Sequence, residues 1–323
     1  MSQKDNIVLV FLDGMHGINY HRLQIPFLRL MSQGMRVHFF DDFNDIKEFD
    51  MSVVSHIVVS RRCTVTNYDA FKSWLVANDV KLVLDNDDYW ELPKHNPAYQ
   101  TYKDVISKEI LSTIRIADII WTPSKYLAKR ISLINPRVDV HVVNNTLDLG
   151  EDQWKQRKNP SKEVRFGYLG ANGHSKDILE MSYNFTSKTL YAMDLMNYPQ
   201  FLGASHAIKP LPVDQYGTLY KNFDVSLAPL KGGTFNKCKS ELKVVEAGYT
   251  RSSIICSNVT PYKEVIENNV TGLLCSTPRE WRQAIDSMTK EKHKELSGNL
   301  NKFVKKNYSL DAINKIRKDT LCL

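Results

Sequence analysis

Short apolar, β-branched runs alternate with longer stretches of helical periodicity along the chain, and this alternation constrains the fold more than any other sequence feature. The first run, Ile7–Leu12 (IVLVFL), is apolar at every position rather than at every second one. Such a run is typical of a parallel strand that is covered on both faces. Strand, helix and strand in repetition predict a doubly wound α/β layer.

In the first half of the chain the alternation extends to about residue 143. Further strands are predicted at Met35–Phe40, His56–Ser60, Lys81–Leu84, Asp118–Thr122 and Val138–Val143, and helices at Tyr68–Asn78, Tyr102–Ala117 and Ser124–Ile134. Residues 18–31 also have helical spacing, but Pro26 predicts a kink there or a helix that begins nearer to the proline.

The segment 150–162 (GEDQWKQRKNPSK) is polar, contains Pro160 and lacks periodicity, so we predict a linker. The alternation then starts again. Strands are predicted at Val164–Leu169, Thr189–Met193, Ser205–Ile208, Val225–Ala228, Ser253–Cys256 and Gly272–Cys275. Helices are predicted from about Lys176, at Val213–Asn222, at Ser240–Tyr249 and from Cys275 to the end. The sequence therefore predicts two Rossmann-like domains, residues 1–155 and 163–308, with ligands in a cleft at the carboxyl ends of the strands.

Composition narrows the class of protein further. The chain has 323 residues, 42% of them hydrophobic, which excludes a disordered chain. Its five scattered cysteines include no Cys-x-x-Cys pair, which argues against a disulfide framework or a zinc ribbon and predicts reduced thiols in a cytosol. No apolar run approaches the ~20 residues of a membrane span, so we expect a soluble, cytoplasmic protein.

Formal charge leaves several partners open. Lysine and arginine number 43 against 36 aspartate and glutamate, a net charge of +7. This excess permits a polyanionic partner, such as nucleic acid, or peripheral contact with an anionic membrane, but requires neither.

Two clusters in the first half are candidates for chemistry. Gly14 and Gly17 follow the first strand, on either side of His16, and could let backbone N–H groups approach an anionic ligand. Asp85 and Asp87 follow the fourth strand. These carboxylates could bind a divalent cation, hold sugar hydroxyls or supply a general base, or they could simply cap a helix within a solvated turn.

In the second half, a glycine-rich loop follows the strand at Val164–Leu169. It contains Gly170, and His174 and Lys176 are predicted to begin the next helix. Open backbone amides, a helix N-terminus and a cation together suit a diphosphate group. The alternative is that His174 is an ordinary polar surface residue.

The densest group of candidates lies around the helix predicted at Ser240–Tyr249. Lys239 and Lys243 share a helical strip with Glu246 by i, i+3 and i+4 spacing. The lysines could neutralise a nucleotide diphosphate, and the carboxylate could accept both hydroxyls of a ribose. Composition alone fits equally well with a surface helix that carries a weak Lys–Glu pair.

The order of these motifs resembles a known family. The stretch from Lys239-Ser240 through Lys243, Glu246-Ala247-Gly248 and Pro261-Tyr262 to Gly272 resembles the C-terminal signature of group 1 (family 4) glycosyltransferases of GT-B fold. Other motifs of that family are resembled, in the same order along the chain, by segments 14–22, 117–124, 170–177 and 220–230. The resemblance covers most of the chain, but only residues 239–272 are specific.

The resemblance implies a GT-B fold of two Rossmann-like domains that face each other across a cleft. The second domain would bind the nucleotide-sugar, the first would bind the acceptor, and a closing helix at about 309–323 would pack back on the first domain. It also implies transfer with retention and no required metal, with Lys239, Lys243 and backbone amides stabilising the leaving group. One departure is clear: the first carboxylate of the family's Glu-x7-Glu pair, which helps to hold the donor sugar, is Cys238 here.

We therefore predict a metal-independent glycosyltransferase without a cofactor. It would move a sugar from a nucleotide-sugar such as a UDP-sugar to a hydroxyl of a glycan, a lipid-linked glycan or modified DNA. Asp85, Asp87 and His16 are the predicted catalytic residues. The predicted donor-binding residues are Gly14, Gly17, Gly170, His174, Lys176, Lys239, Lys243 and Glu246. The alternatives are a glycosyltransferase for modified DNA bases, a sugar-nucleotide epimerase and a non-catalytic nucleic-acid-binding module.

Overall fold

The computed structural model describes residues 6–14 and 16–322, so Met15 of the first glycine turn lies outside the described residues. The chain divides into two compact units. Unit 1 comprises the described residues of 1–93, 98–146 and 310–323, and unit 2 comprises 94–97 and 147–309. Among the described residues, no helix is both long and apolar enough to cross a lipid bilayer.

Unit 1 contains a six-stranded sheet in which all neighbouring strands are parallel, in the order β2-β1-β3-β4-β5-β6. Its strands are β1 (Ile7–Phe11), β2 (Val37–Phe40), β3 (Val54–Ser60), β4 (Lys81–Asp85), β5 (Ile119–Thr122) and β6 (Asp139–Val142). The strand order changes direction between β1 and β3, which makes their carboxyl ends the switch point of this sheet.

The helices of unit 1 cover the sheet. They are α1 (Ile25–Ser32), α2 (Tyr68–Ala77), α3 (Tyr99–Thr101), α4 (Ser107–Ile116), α5 (Lys125–Ile134) and α12 (Leu310–Leu321). Helix α3 continues through a π-helical turn at Tyr102–Ile106 into α4, and a 3₁₀ helix lies at Phe43–Glu48.

Pro26 lies in the first turn of α1, which begins at Ile25, in agreement with the prediction of a helix that begins nearer to the proline. A π-helical turn at Asn19–Gln24 leads directly into α1, which absorbs the proline within one continuous helix. Pro26 has no N–H to donate to the carbonyl of Arg22, four residues before it. That carbonyl instead accepts a hydrogen bond from Arg317 Nη2 of α12 at 3.1 Å. Helix α12 therefore supplies the hydrogen bond to the Arg22 carbonyl that the proline cannot donate.

Unit 2 contains a second six-stranded parallel sheet, in the order β12-β11-β10-β7-β8-β9. Its strands are β7 (Arg165–Tyr168), β8 (Thr189–Met193), β9 (His206–Ile208), β10 (Val225–Ala228), β11 (Ser253–Ser257) and β12 (Leu273–Cys275). The order changes direction between β7 and β10. Two such sheets confirm the prediction of two Rossmann-like α/β domains.

The helices of unit 2 are α6 (Tyr198–Leu202), α7 (Thr234–Lys237), α8 (Leu242–Tyr249), α9 (Thr260–Lys263), α10 (Pro278–Asp286) and α11 (Lys290–Asn307). Two helix predictions are wrong. The helix predicted from about Lys176 is replaced by two short 3₁₀ turns, Asn172–His174 and Asp177–Glu180, in a segment rich in residues that form helices poorly. The helix predicted at Val213–Asn222 is a 3₁₀ helix at Tyr216–Asn222.

The predicted linker is attached to unit 2. Trp154 is 3% exposed, and a Cβ added to Gly217 would lie 2.7 Å from its ring. Gln153 Oε1 accepts a hydrogen bond from the backbone N–H of Gly217 at 2.9 Å. Lys158 Nζ donates to the carbonyls of Tyr220 and Phe223 and to the hydroxyl of Ser252. The polar composition of this segment therefore reflects buried hydrogen bonds as well as solvent exposure.

Lys158 predicts a pH dependence of stability. Burial lowers its pKa to about 7, against the opposing effect of Asp224, whereas an unfolded lysine has a pKa of about 10.4. Between these values the unfolded chain holds a proton that the folded chain lacks, so stability should rise with pH by up to about 1.4 kcal/mol per unit. Lys158→Met lacks this contribution. In urea unfolding from pH 6 to 9, the unfolding free energy of wild type minus that of the variant should increase above pH 7, and a constant difference would contradict the lowered pKa.

Candidate functional site

The loops after β7 and β10 meet at the switch point of unit 2, where open α/β sheets bind ligands. The side chain of Asp177, which is 6% exposed, joins them. Its Oδ1 accepts from the backbone N–H of Lys231, after β10, and its Oδ2 pairs with Nδ1 of His174, after β7. Asn236 Nδ2 also donates to Oδ1 at 2.8 Å. We call Asp177, His174, Lys231 and Asn236 the Asp177 cluster.

The Asp177 cluster changes the interpretation of the glycine-rich loop. His174 does not begin an α-helix; it lies 2.7 Å from a buried carboxylate that offsets any charge on its ring. Lys176 is exposed and precedes only a 3₁₀ turn. Gly170 is needed because a Cβ there would lie 2.1 Å from Tyr168 Oη. The helix N-terminus that was predicted to hold a diphosphate at this loop is therefore absent from the described residues 169–188.

A second cluster of polar side chains surrounds Glu246 in α8. The carboxylate is 3% exposed, and its Oε2 accepts from Tyr220 Oη at 2.6 Å and from Lys243 Nζ at 2.8 Å. Lys243 Nζ also donates to Tyr216 Oη, and Tyr216 Oη donates to the carbonyl of Leu169 at 3.4 Å. We call Glu246, Lys243, Tyr216 and Tyr220 the Glu246 cluster. Among the described residues, none donates to Glu246 Oε1.

The ionisation of the Glu246 cluster follows from its burial. Burial opposes the charge on Lys243, but Glu246 and Tyr216 outweigh this effect and raise the lysine pKa above its usual value. Burial, followed by Glu246, raises the pKa of Tyr216 to about 12 and that of Tyr220 well above its ordinary value. Near neutral pH the cluster therefore contains a lysine cation and two protonated phenols.

Lys239 and Cys238 lie just before α8. The structure brings Lys243 and Glu246 together as the spacing predicts, but α8 begins at Leu242, so Lys239 is outside the helix. Lys239 is half-buried, with Nζ 4.3 Å from the centre of the Phe235 ring. Cys238 is fully buried.

In unit 1, the turn after β1 is held by Asn19. Asn19 Nδ2 donates to Asp13 Oδ1 at 2.8 Å and to the carbonyl of Gly14 at 3.0 Å, and Gly14 has φ of +128°, which favours glycine. His16 is exposed and pairs with Asp13, a hydrogen bond that lowers the aspartate pKa. Gly17 is exposed in the same turn.

Asp85 and Asp87 have different surroundings, although the sequence groups them. Asp85 is fully buried, and Arg22 Nε and Nη2 donate to its two oxygens at 2.6 and 3.0 Å. Arg22 also donates to the carbonyl of Val143 and to Asn145 Oδ1. Asp85 thus offers no exposed atom to a ligand and holds the ends of several strands together.

Asp87 is the more accessible carboxylate, with 15% of its side chain exposed. Arg61 donates to both of its oxygens, at 2.7 and 3.3 Å, and also to Tyr102 Oη. Arg61 follows β3 with a φ of +60°, a left-handed conformation that is uncommon for a residue with a side chain. Each aspartate therefore has its own arginine, and no group of three or more metal-binding side chains occurs among the residues described.

Sequence reasoning missed the partners of the candidate residues. They are Arg22 and Arg61 in unit 1, and Asp177, Tyr216 and Tyr220 in unit 2. One signal was present: Arg61 and Asp87 follow neighbouring strands, β3 and β4, whose carboxyl ends share an edge of the sheet.

No protein-family model matches the chain, and neither does any curated protein sequence. Solved structures do match it over nearly the full length. Sucrose-phosphate synthase from Thermosynechococcus elongatus is 11% identical, with a TM-score of 0.72 over 98% of both chains. HepE of Anabaena in complex with UDP-glucose is 13% identical, with a TM-score of 0.64 over 98% of this chain and 99% of its own.

A glycosyltransferase from Rickettsia africae ESF-5 is 12% identical, with a TM-score of 0.63 over 98% of this chain and 97% of its own. At such identities a likeness carries information about architecture rather than about individual side chains. Together with the two parallel sheets, these matches show that the chain has the GT-B-like fold of these glycosyltransferase structures.

Proposed function

We propose that this protein is a glycosyltransferase that moves a sugar from a nucleotide-sugar donor to an acceptor hydroxyl. The observation that carries the proposal is the Glu246 cluster, a buried carboxylate held by a lysine and two tyrosines, in the second Rossmann-like unit of a GT-B-like fold. HepE, one of the structural neighbours, has been solved with UDP and with UDP-glucose. A UDP-sugar is therefore the first donor to test.

The Glu246 cluster has the chemistry of a nucleoside subsite. Tyr220 and Lys243 both donate to Glu246 Oε2, so Oε1 can accept hydrogen bonds from ribose hydroxyls. The charge of Lys243 is already paired with the buried carboxylate of Glu246, so this lysine is a weaker candidate for a phosphate contact than the sequence alone indicates. Lys239, outside the helix and only half-buried, is the better candidate for the diphosphate, and its charge would offset that of the leaving group.

We assign the acceptor to unit 1, with Asp87 and His16 orienting acceptor hydroxyls, and we expect retention at the transferred carbon. We assign Asp85 a structural role as the partner of Arg22 and not a catalytic one, because it is fully buried in a bidentate ion pair. A cytoplasmic location is supported by the five cysteines, all in the described part of the chain, none of which forms a disulfide.

The proposed function is tested in two steps. Calorimetry of the full chain with UDP-glucose, GDP-mannose, ADP-glucose and dTDP-glucose should find at least one donor that binds. With that donor, release of the nucleoside diphosphate should depend on an added acceptor, from a panel of glycans and DNA that carries hydroxymethylated bases. Conversion of the donor sugar without any acceptor would instead show an epimerase, and salt-sensitive DNA binding without turnover would show a binding module.

Lys239 and Lys243 are expected to affect donor binding differently. Lys239→Ala should lower affinity for UDP by about 1.5–3 kcal/mol, the range for a charge-assisted contact, while affinity for uridine is unchanged. Lys243→Ala removes a donor from buried Glu246 and should weaken both ligands. Calorimetry with UDP and uridine measures this, with exposed Lys263→Ala as the control. Equal losses of UDP and uridine binding in Lys239→Ala would rule out a phosphate contact.

Asp87→Asn should depress transfer while leaving donor affinity nearly intact. The substitution replaces the carboxylate by a neutral amide and so removes the charge that pairs with Arg61. Asp87 belongs to unit 1, and the proposed donor site belongs to unit 2, so donor binding should be little affected. Because each aspartate already has an arginine partner, EDTA should not abolish transfer. Complete loss of activity in EDTA, restored by Mn²⁺ or Mg²⁺, would instead identify these carboxylates as metal ligands.

A further inference from the structure

Two buried polar atoms near the Asp177 cluster have no hydrogen-bond partner among the described residues: Asn236 Oδ1 and Tyr168 Oη. Asn236 is 8% exposed and Tyr168 is 3% exposed. A buried polar group without a partner costs roughly 1–3 kcal/mol, so such atoms usually meet a water, an ion or a ligand. Both residues belong to the loops and strand ends at the switch point of unit 2, where ligands of open α/β sheets bind.

The orientation of the Asn236 amide is fixed by chemistry. Its Nδ2 faces Asp177 Oδ1 at 2.8 Å and the carbonyl of Lys231 at 2.9 Å, and both of these groups can only accept hydrogen bonds. Rotating the amide by 180° would place three oxygens together. Oδ1 is therefore the atom without a partner, and it requires a hydrogen-bond donor.

Tyr168 ends β7, directly before the loop that carries His174 and Asp177, and its ring lies 5.3 Å from that of Tyr198. Burial chiefly, with Tyr198 and Asp177 adding to it, raises the pKa of Tyr168 well above its ordinary value, so its hydroxyl is protonated. A protonated phenol can both donate and accept. The loop after β7 contacts both clusters: it carries His174 and Asp177 of the Asp177 cluster, and the carbonyl of Leu169 accepts a hydrogen bond from Tyr216 Oη of the Glu246 cluster at 3.4 Å. The two clusters are therefore linked through this loop of unit 2.

These properties discriminate between two parts of a nucleotide-sugar. Phosphate oxygens at neutral pH chiefly accept hydrogen bonds, and a phosphate here would meet an acceptor, Asn236 Oδ1, beside the carboxylate of Asp177. A sugar hydroxyl can donate to Asn236 Oδ1 and exchange a hydrogen bond with Tyr168 Oη. We propose that Asn236 and Tyr168, positioned by Asp177, form a subsite for hydroxyl groups of the donor sugar rather than for its diphosphate. This inference rests on the proposed function.

Ligand entry requires movement of the segment that carries Asn236, because both unpartnered atoms are buried. Gly232 and Gly233 precede this segment and are exposed. A Cβ at either position would have no described atom within 4 Å, and Gly233 has φ of +139°. The backbone next to Asn236 thus has both the space and the conformational freedom to move.

Tyr168→Phe gives a direct test, since the hydroxyl it removes makes no hydrogen bond to any described residue. The probes are UDP-glucose, GDP-mannose, ADP-glucose and dTDP-glucose, each with its nucleoside diphosphate, and the pair that binds wild type best is used. We expect Tyr168→Phe to melt no lower than wild type, to retain affinity for the diphosphate, and to bind the nucleotide-sugar about 3- to 10-fold more weakly. Asn236→Ala should lower the same affinity ratio.

The matched control is Tyr198→Phe, because the Tyr198 hydroxyl donates to the carbonyl of Ala171 at 2.9 Å. It should lower the melting temperature without changing the affinity ratio. A set of deoxy-sugar donors then locates the contact: the donor that lacks the contacted hydroxyl should bind wild type and Tyr168→Phe equally.

Two results would overturn the subsite while leaving the proposed function intact. One is an unchanged ratio of nucleotide-sugar to diphosphate affinity in both Tyr168→Phe and Asn236→Ala. The other is a lower melting temperature of unliganded Tyr168→Phe with an unchanged ratio, which would show that only a structural water meets these atoms. If wild type binds no nucleotide-sugar in the panel, the proposed function itself fails and the subsite with it.

Discussion

Replacing Asp85 with alanine is expected to lower the free energy of unfolding of the protein by about 3–5 kcal/mol, because it leaves Arg22 as a buried charge without its carboxylate. Arg22 is 2% exposed and Asp85 is fully buried. Urea unfolding of the full chain, followed by circular dichroism, measures the loss. The variant should also lose activity, but only in proportion to the fraction that is unfolded.

A matched ion pair in the same unit serves as the control. Arg29 donates to both oxygens of Asp311, at 2.8 and 2.9 Å, in the same bidentate geometry. Both of its side chains are about half exposed, at 45% and 57%. Asp311→Ala should therefore cost no more than about 1 kcal/mol. Equal losses of unfolding free energy in the two variants would mean that burial does not decide the strength of these ion pairs. An Asp85→Ala variant that is as stable as wild type but inactive would support a catalytic role for Asp85.

Replacing Glu246 with alanine should weaken nucleotide-sugar binding by about 1.5–3 kcal/mol, or about 10- to 150-fold, the range for hydrogen bonds to a charged group. The loss should be shared by the nucleotide-sugar, the diphosphate and the nucleoside, because all three contain the ribose that Oε1 is proposed to hold. Calorimetry with UDP-glucose, UDP and uridine distinguishes this pattern from a phosphate or sugar contact.

Glu246→Gln separates the charge of this side chain from its shape. It keeps an acceptor for Tyr220 Oη but no longer neutralises Lys243, so it should retain more affinity than the alanine variant. Exposed Glu295 of α11 provides the control, and Glu295→Gln should bind all three ligands as wild type does. Wild-type affinity for uridine in a folded Glu246→Ala variant would exclude the ribose contact.

The strands were the most predictable part of the fold. Apolar runs such as Thr189–Met193 and Val225–Ala228 coincide with β8 and β10, because a buried parallel strand must be apolar on both faces. The segment after β7 was less predictable. Many of its residues form helices poorly, and it makes two 3₁₀ turns, with the Asp177 carboxylate bonded to His174 and to the backbone N–H of Lys231.

The candidate site was predictable only where its partners are close in sequence. Lys243 and Glu246 are three residues apart on one helix, and periodicity alone places them together. Tyr220 reaches Glu246 from a 3₁₀ helix before β10, and Arg22 reaches Asp85 from a π-helical turn before α1. No local pattern encodes such pairs, because they depend on which strands become neighbours in the sheet.

The placement of α12 bears on how the protein is made on the ribosome. This helix follows the whole of unit 2 in sequence, yet it belongs to unit 1, where Trp121 donates to Thr320 and Arg317 caps the carbonyl of Arg22. At 5–20 residues per second, translation of residues 147–309 takes roughly 8–30 s. Throughout that interval the nascent unit 1 has its entire sheet but not its closing helix. A premature stop near residue 309 would leave it permanently in that unfinished state, with both sheets complete.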